Sequence, residues 1–239
     1  MAMLPRVRLP RWLRLRRRRT RLGAVLVAVA IGVGACVLAA RDTPPPAKAQ
    51  PTANQIAAAR TQLAHLAVAP ARGGGYQRTN DFGPSWVLDA DHNGCRQRDD
   101  VLRRDLTEVQ TQGRCIVTAG MLSDPYTGDS VQFTKSDAAE VQVDHVYPLA
   151  LAWRHGAARW PQQRRVALAN DLANLVATSA QANNRKSDHG PGEWLPPNHG
   201  FWCAYAVRYI GVAAKYGLSV SATDRTALST ALRTCPASH

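Results

Sequence analysis

Residues 22–40, LGAVLVAVAIGVGACVLAA, contain neither a charge nor a proline, and an arginine-rich block stands directly in front of them. The run is close to the roughly 20 apolar residues needed to cross a bilayer core. Apolar residues occupy every helical face, so a buried helix of a soluble domain is a poor reading. Nine of the thirteen excess positive charges are arginines within residues 1–40, which carry no acid, leaving four for the rest of the chain. By the positive-inside rule the basic residues 1–21 stay cytoplasmic, and everything after Arg41 is expected outside the cytoplasm. The length of the run favours a retained transmembrane anchor over a cleaved signal. Ala47-Lys48-Ala49 offers a small-x-small cleavage pattern just beyond it, which keeps secretion open.

Export sets the context for the remainder. Residues 41–54, RDTPPPAKAQPTAN, hold no large apolar side chain and read as an extended spacer. A short amphipathic helix from Ile56 to Val68 follows, with Ile56, Leu63, Leu66 and Ala59 on one face, and Gly73-Gly74-Gly75 ends it. Residues 41–75 are therefore expected to be a linker with a short helix, and residues 76–239 a single folded domain. A 45% apolar content excludes a wholly disordered or collagen-like chain.

Within residues 76–239 the pattern is α+β with much loop. Asp99–Gln110 reads as a helix with Val101, Leu102, Leu106 and Val109 inward. Arg114–Val117, Ser130–Phe133 and Glu140–Val146 read as strands, the first two separated by the turn Asp124-Pro125-Tyr126-Thr127-Gly128. Further helices are expected over 149–155, 161–169 and 179–186, an extended segment over 175–178, and two closing helices over 200–216 and 222–232, the last capped by Ser221 or Thr223.

The domain holds four cysteines, Cys95, Cys115, Cys203 and Cys235. An even number in an exported chain points to two disulfides. Order along the chain suggests Cys95 with Cys115 and Cys203 with Cys235, among three possible connectivities. No CxxC or CxxH pair is present to begin a zinc site.

Three segments carry chemistry: VQVDHVYPL at 141–149, NDLANL at 170–175 and ANNRKSD at 182–188. An isolated Asp-His pair means little. A strand ending in Asp144-His145, an Asn174 before a second strand, and a helix bearing Asn183 and Lys186 can bring these side chains to one point. In this order the chain resembles the HNH, or ββα-metal, nuclease superfamily. With DHVYPLALAW, NNRKSDHGP and WLPP, and with FGPSW, DADHNGC, RDDVLRRDL and DPYTG outside the nuclease core, it looks like exported actinobacterial HNH proteins related to the C-terminal domain of GmrSD-type restriction endonucleases. The resemblance covers about residues 76–235. It implies a ββα-metal core inside a disulfide-stapled mixed domain with C-terminal helices.

By the same resemblance His145 is the general base, since a neutral imidazole can take a proton from water near neutral pH. Asp144 and Asn183 are oxygen ligands for one divalent cation, Mg²⁺ or Mn²⁺. Asn174 braces the loop and orients His145, and Lys186 and Arg185 face a substrate phosphate. The third signature position is Asn183 and not the histidine that names the superfamily, which moves the expected metal away from Zn²⁺ or Ni²⁺. The implied substrate is nucleic acid, DNA before RNA.

Asp89-Ala90-Asp91-His92-Asn93-Gly94, with Asp100 at the twelfth place, also matches the start of a calcium loop, and Ca²⁺ is a candidate at this second site (Asp89, Asp91, Asn93, Asp100). Arg154, Arg159, Arg164 and Arg165 beside Trp153 and Trp160 form a further cluster able to grip phosphates or to cover a helix surface. The absence of an HExxH pair lowers a metallohydrolase of the cell wall. A non-catalytic surface module that binds nucleic acid, calcium or protein is the alternative to the nuclease.

Overall fold

A computed structural model of the chain describes residues 46–85, 89 and 92–237. The basic segment 1–21, the apolar run 22–40 and Asp91 lie outside the described residues, among which no helix is long and apolar enough to cross a membrane.

The order is α1 (Ala53–His65), α2 (Arg78–Phe82), α3 (Gln97–Asp105), β1 (Leu106–Gln112), β2 (Ile116–Ser123), β3 (Ser130–Thr134), β4 (Val141–His145), α4 (Leu149–Arg154), α5 (Gln162–Ala169), β5 (Leu175–Ser179), α6 (Ala180–Lys186), α7 (Trp202–Tyr216) and α8 (Ala222–Leu232). β1, β2 and β3 form one antiparallel sheet in that order, and β4 and β5 form a second, two-stranded antiparallel sheet. The class is α+β, with two disulfides and C-terminal helices.

Two apolar clusters organise these pieces. The larger is built on α7, whose Ala206, Tyr209, Ile210 and Ala213 are fully buried among residues of α1, α4 and α8. Ser221 caps α8 through a reciprocal box with Asp224, and Gly217 ends α7 in the left-handed conformation (φ 61°) that glycine adopts without cost. The smaller cluster packs Val101 and Leu102 of α3 against Val117, Leu122 and Phe133 of the first sheet and Val141, Leu175 and Ala177 of the second. Cys95 is joined to Cys115, tying the approach to α3 to the β1–β2 turn, and Cys203 is joined to Cys235, tying α7 to the tail behind α8.

Two sequence expectations are corrected. The helix expected over 99–110 stops at Asp105, and Leu106–Gln112 is a strand. The β-branched residues Thr107, Val109 and Thr111 recur at every second position, and pairing with β2 overrides the helical spacing of Leu106 and Val109. Asp105 marks the break: its buried carboxylate accepts the backbone N–H groups of Ala47 (2.9 Å) and Ala177 (2.9 Å) and pairs with Arg104 (2.7 Å).

The second correction concerns residues 46–66, which are part of the folded body and not a spacer. Ala47 is buried on Asp105, and Ile56, Ala59, Leu63 and Leu66 join the main core beneath α7. A segment without large side chains at its start docks because alanine fits a narrow site and its amide finds a buried acceptor. Replacing Leu63 by Ala is expected to cost about 2–5 kcal/mol in urea-unfolding free energy, as for a buried leucine, whereas a solvated linker residue would leave the midpoint unchanged.

Candidate active site

β4 and β5 pair in register with Asp144 opposite Val176 and His145 opposite Leu175, and α6 starts directly after β5. This strand, strand, helix unit puts Asp144, His145, Asn183, Asn184, Ser187 and Asp188 around one cleft of about 360 Å³, with Arg78 from α2 on its wall.

Just past His145 the ladder is closed by Asn174, which is fully buried. Its backbone carbonyl accepts from Val146 N (2.8 Å), its Oδ1 accepts from Tyr147 N (2.7 Å), and its Nδ2 donates to Tyr147 O (3.2 Å). One side chain thus fixes both polar groups of the residue two positions beyond the histidine. His145 itself is half-buried, with Nε2 2.9 Å from the carbonyl oxygen of Ala169 at the end of α5. A carbonyl only accepts, so Nε2 carries the proton and Nδ1 is the basic nitrogen of the neutral ring. Burial pushes its pKa down to about 3; the Ala169 hydrogen bond opposes this, while Arg78 and Lys186 add to it. The ring is therefore neutral across the physiological range.

Asp144 is buried as one member of a charged knot. The Lys186 ammonium lies 3.1 Å from Oδ1 and 2.9 Å from Oδ2, and also donates to His145 O at 2.9 Å. The Tyr126 hydroxyl donates to Oδ2 at 2.5 Å. Burial raises the Asp144 pKa, opposed by Lys186 and by the Tyr126 hydrogen bond, and burial also keeps the Tyr126 phenol far above its usual pKa, so that it remains a donor. Lys186 is fully buried. It is neither a solvated helix residue nor exposed to meet a phosphate as sequence reasoning expects, because it spends its charge on Asp144.

Arg185 lies on the exposed side of α6, 3.4 Å from Gln181 Oε1, and is not part of the cleft wall. Asn183 Nδ2 donates to Gln142 Oε1 (2.7 Å), which leaves its carbonyl oxygen as the acceptor offered to a ligand. Asp144 and Asn183 thus both bring oxygen atoms to one cleft, the donor type that hard cations take. In the chain by itself the cation on Asp144 is Lys186.

The other candidates have structural partners. Asp89 accepts the backbone amides of Asn93 (2.9 Å) and Gly94 (2.6 Å), and Asn93 bridges to Asp100 (2.8 Å), so these side chains close the 89–100 loop on itself. Among the described residues no group of three or more His, Cys, Asp or Glu side chains is placed to hold a metal ion. Of the arginine cluster, Arg164 stacks over Trp160 (4.3 Å) and donates to Tyr216 O (2.8 Å). Arg165 lies over Trp153 (5.4 Å) and donates to Asp81 O (2.7 Å), and Arg154 pairs with Asp188 (2.8 Å).

Sequence reasoning missed Tyr126, Arg78 and Asp188. The DPYTG motif contains Tyr126, but nothing local says that its hydroxyl reaches a carboxylate eighteen residues on. The signal for Lys186 was available: Ala182 and Lys186 are one helical turn apart, and both are buried.

Replacing Lys186 by Met leaves a buried carboxylate without its cation, which is expected to cost about 3–5 kcal/mol at pH 7. A carboxyl whose pKa is raised by folding binds its proton more readily folded than unfolded, so the deficit is expected to shrink as pH falls from 7 toward 4. Urea titrations of both proteins across that range check the sign; a deficit independent of pH contradicts the pairing.

Residues 96–231 match the family model described as GmrSD restriction endonucleases, C-terminal domain. The chain is 39% identical over 196 residues to a protein of the fungus Arthroderma benhamiae named as an uncharacterized secreted protein, with 81% of this chain and 92% of the relative covered. That relative is fungal and not of the actinobacterial kinship expected from the sequence motifs. No solved structure matches the chain. With the matched stretch running from the residue before α3 almost to the end of α8, more than half of the sequence, the chain belongs to the family of GmrSD restriction endonuclease C-terminal domains.

Proposed function

We propose that the His145 cleft hydrolyses phosphodiester bonds of nucleic acid, DNA in the first instance, outside the cytoplasmic membrane. One observation carries the reading: in a chain of this family, a neutral histidine held in a single tautomer by Ala169 shares a cleft with Asp144 and Asn183. Nδ1 of His145 takes the proton from the attacking water, and the Ala169 carbonyl stabilises the imidazolium that forms. Asn174 keeps the strand end, and hence the ring, in place through Tyr147. Asp144 and Asn183 would hold the divalent ion, Mg²⁺ or Mn²⁺, which when bound supplies polarisation of the phosphate and stabilisation of the leaving oxygen. The role of Lys186 is to hold the buried Asp144 carboxylate ionised and oriented.

Two disulfides agree with an oxidising, extracytoplasmic location, as does the description of the fungal relative as secreted. Whether by an anchor at residues 22–40 or by release after cleavage, the domain acts on nucleic acid outside the cytoplasmic membrane. Neutralisation of Asp144 by Lys186 favours the second reading, a non-catalytic surface module that binds nucleic acid on the same scaffold.

The purified, oxidised chain is expected to nick plasmid DNA with Mg²⁺ or Mn²⁺ and to stop with chelator. His145→Ala is expected to lose about two to four orders of magnitude in rate, the usual contribution of a positioned base. Undiminished cleavage by His145→Ala rejects the assigned base. Failure to cut DNA or RNA with any divalent ion transfers the proposal to the binding module.

A further inference from the structure

We infer that Arg78 is the phosphate-binding residue of the His145 cleft, seating a non-bridging phosphate oxygen of the nucleic acid. This rests on the nuclease reading above and assigns to α2 the task that sequence reasoning gives to Lys186 and Arg185.

Around the cleft are the cations Lys186, Arg154 and Arg78 and the carboxylates Asp144 and Asp188. Lys186 is committed to Asp144 and Arg154 to Asp188, at 2.9 and 2.8 Å. Arg78 forms no ion pair among the described residues, and it is the excess positive charge of the cleft. Its Nη1 donates to the carbonyl oxygen of Gly83 (2.7 Å), a neutral acceptor that fixes one corner of the guanidinium without cancelling its charge. Gly83 has φ 73°, a left-handed conformation that brings the chain round after α2, and glycine alone adopts it without strain. Half-burial lowers the Arg78 pKa by desolvation, which marks a cation poorly compensated by water.

α2 is short, but it is fastened by its aromatic neighbours and by α5. Phe82 is fully buried between Tyr76 (5.9 Å) and Trp153 (6.4 Å), Arg165 donates to Asp81 O (2.7 Å), and Gln162 donates to Asn80 O (3.1 Å). Arg165 and Gln162 belong to α5, the helix whose last residue, Ala169, holds the His145 ring. A single helix therefore fixes both the base and the platform of the arginine. A guanidinium held this way has lost its conformational freedom before the ligand arrives, and its planar fork matches two oxygens of a phosphate. Arg78 also lies outside the 96–231 stretch that matches the family model, so the N-terminal part of this chain completes the cleft.

The test uses the full oxidised chain in EDTA, where a fluorescein-labelled DNA duplex can bind without being cut, and follows anisotropy across salt concentration. Arg78→Ala and Arg78→Gln are expected to weaken binding on the order of tenfold, the worth of one charge-assisted hydrogen-bonded contact. The slope of log affinity against log salt is expected to fall by about 0.9, one phosphate contact on duplex DNA. Arg78→Gln can still donate to Gly83 O and so separates lost charge from lost folding. Arg78→Lys is expected to recover part of the affinity, and Arg60→Ala, on the exposed side of α1, to match the parent. Unchanged binding in Arg78→Ala overturns the inference and leaves the nuclease reading standing. A parent that binds no nucleic acid yet binds inorganic phosphate in an Arg78-dependent way keeps the seat and rejects the nuclease. Absence of both kinds of binding rejects the two together.

Discussion

The buried contact between Asp144 and Lys186 is the interaction on which the site depends. A carboxylate in this position is tolerable only with a cation and hydrogen-bond donors in place, since an uncompensated buried charge costs several kcal/mol. Lys186 supplies the charge from α6, and Tyr126 supplies a hydroxyl from the turn before β3. The Tyr126 ring in turn packs edge-on against Trp194 (5.0 Å) and Tyr205 of α7 (6.1 Å). One carboxylate thus links the small sheet, the helix after it and the main helical core. Asp105 and Asp124 do related work on β5: Asp105 accepts Ala177 N, and Asp124 accepts the Thr178 hydroxyl and Ser179 N. A two-stranded sheet is marginal alone. Here buried acids and their donors fix it on both sides of the chain.

That rigidity has a chemical consequence. His145 follows Asp144 in the strand, so whatever locks Asp144 also locks the histidine backbone, and Lys186 touches the His145 carbonyl directly. With Asn174 behind it and Ala169 on its Nε2, the ring has one orientation and one tautomer. Neutrality is the state a base requires, and burial among positive neighbours maintains it. The same electrostatics leave the cleft attractive to an anion, because each of its carboxylates is already matched by a cation of its own.

Much of this was readable from residue order. The spacing of Asp144-His145, Asn174 and Asn183 announces a strand, a second strand and a helix, and the structure has those elements, with Asp144, His145 and Asn183 on one cleft. The C-terminal helices were legible from periodicity and from a cap at Ser221 or Thr223, of which the structure uses Ser221, and chain order suggested the cysteine pairs that form. What escaped were contacts set by tertiary packing. Leu106 and Val109 fit a helical stripe as well as a strand, and only the β2 partner decides between them. Ala47 carries no pattern at all, and its burial follows from an acceptor on Asp105. Lys186 reads as a surface cation until its one-turn spacing from Ala182 is set against the strand it covers, and Arg78 enters the cleft from a helix distant in sequence.

Lys186 is the counterion of Asp144 in the structure, and the proposed hydrolysis requires a divalent ion in the same cleft. The most direct test is an anomalous difference map from crystals of the oxidised chain soaked in Mn²⁺. The expected result is a peak in contact with Asp144. A map without a peak at Asp144 at saturating Mn²⁺ would contradict the claim that this cleft is a metal-dependent hydrolytic site.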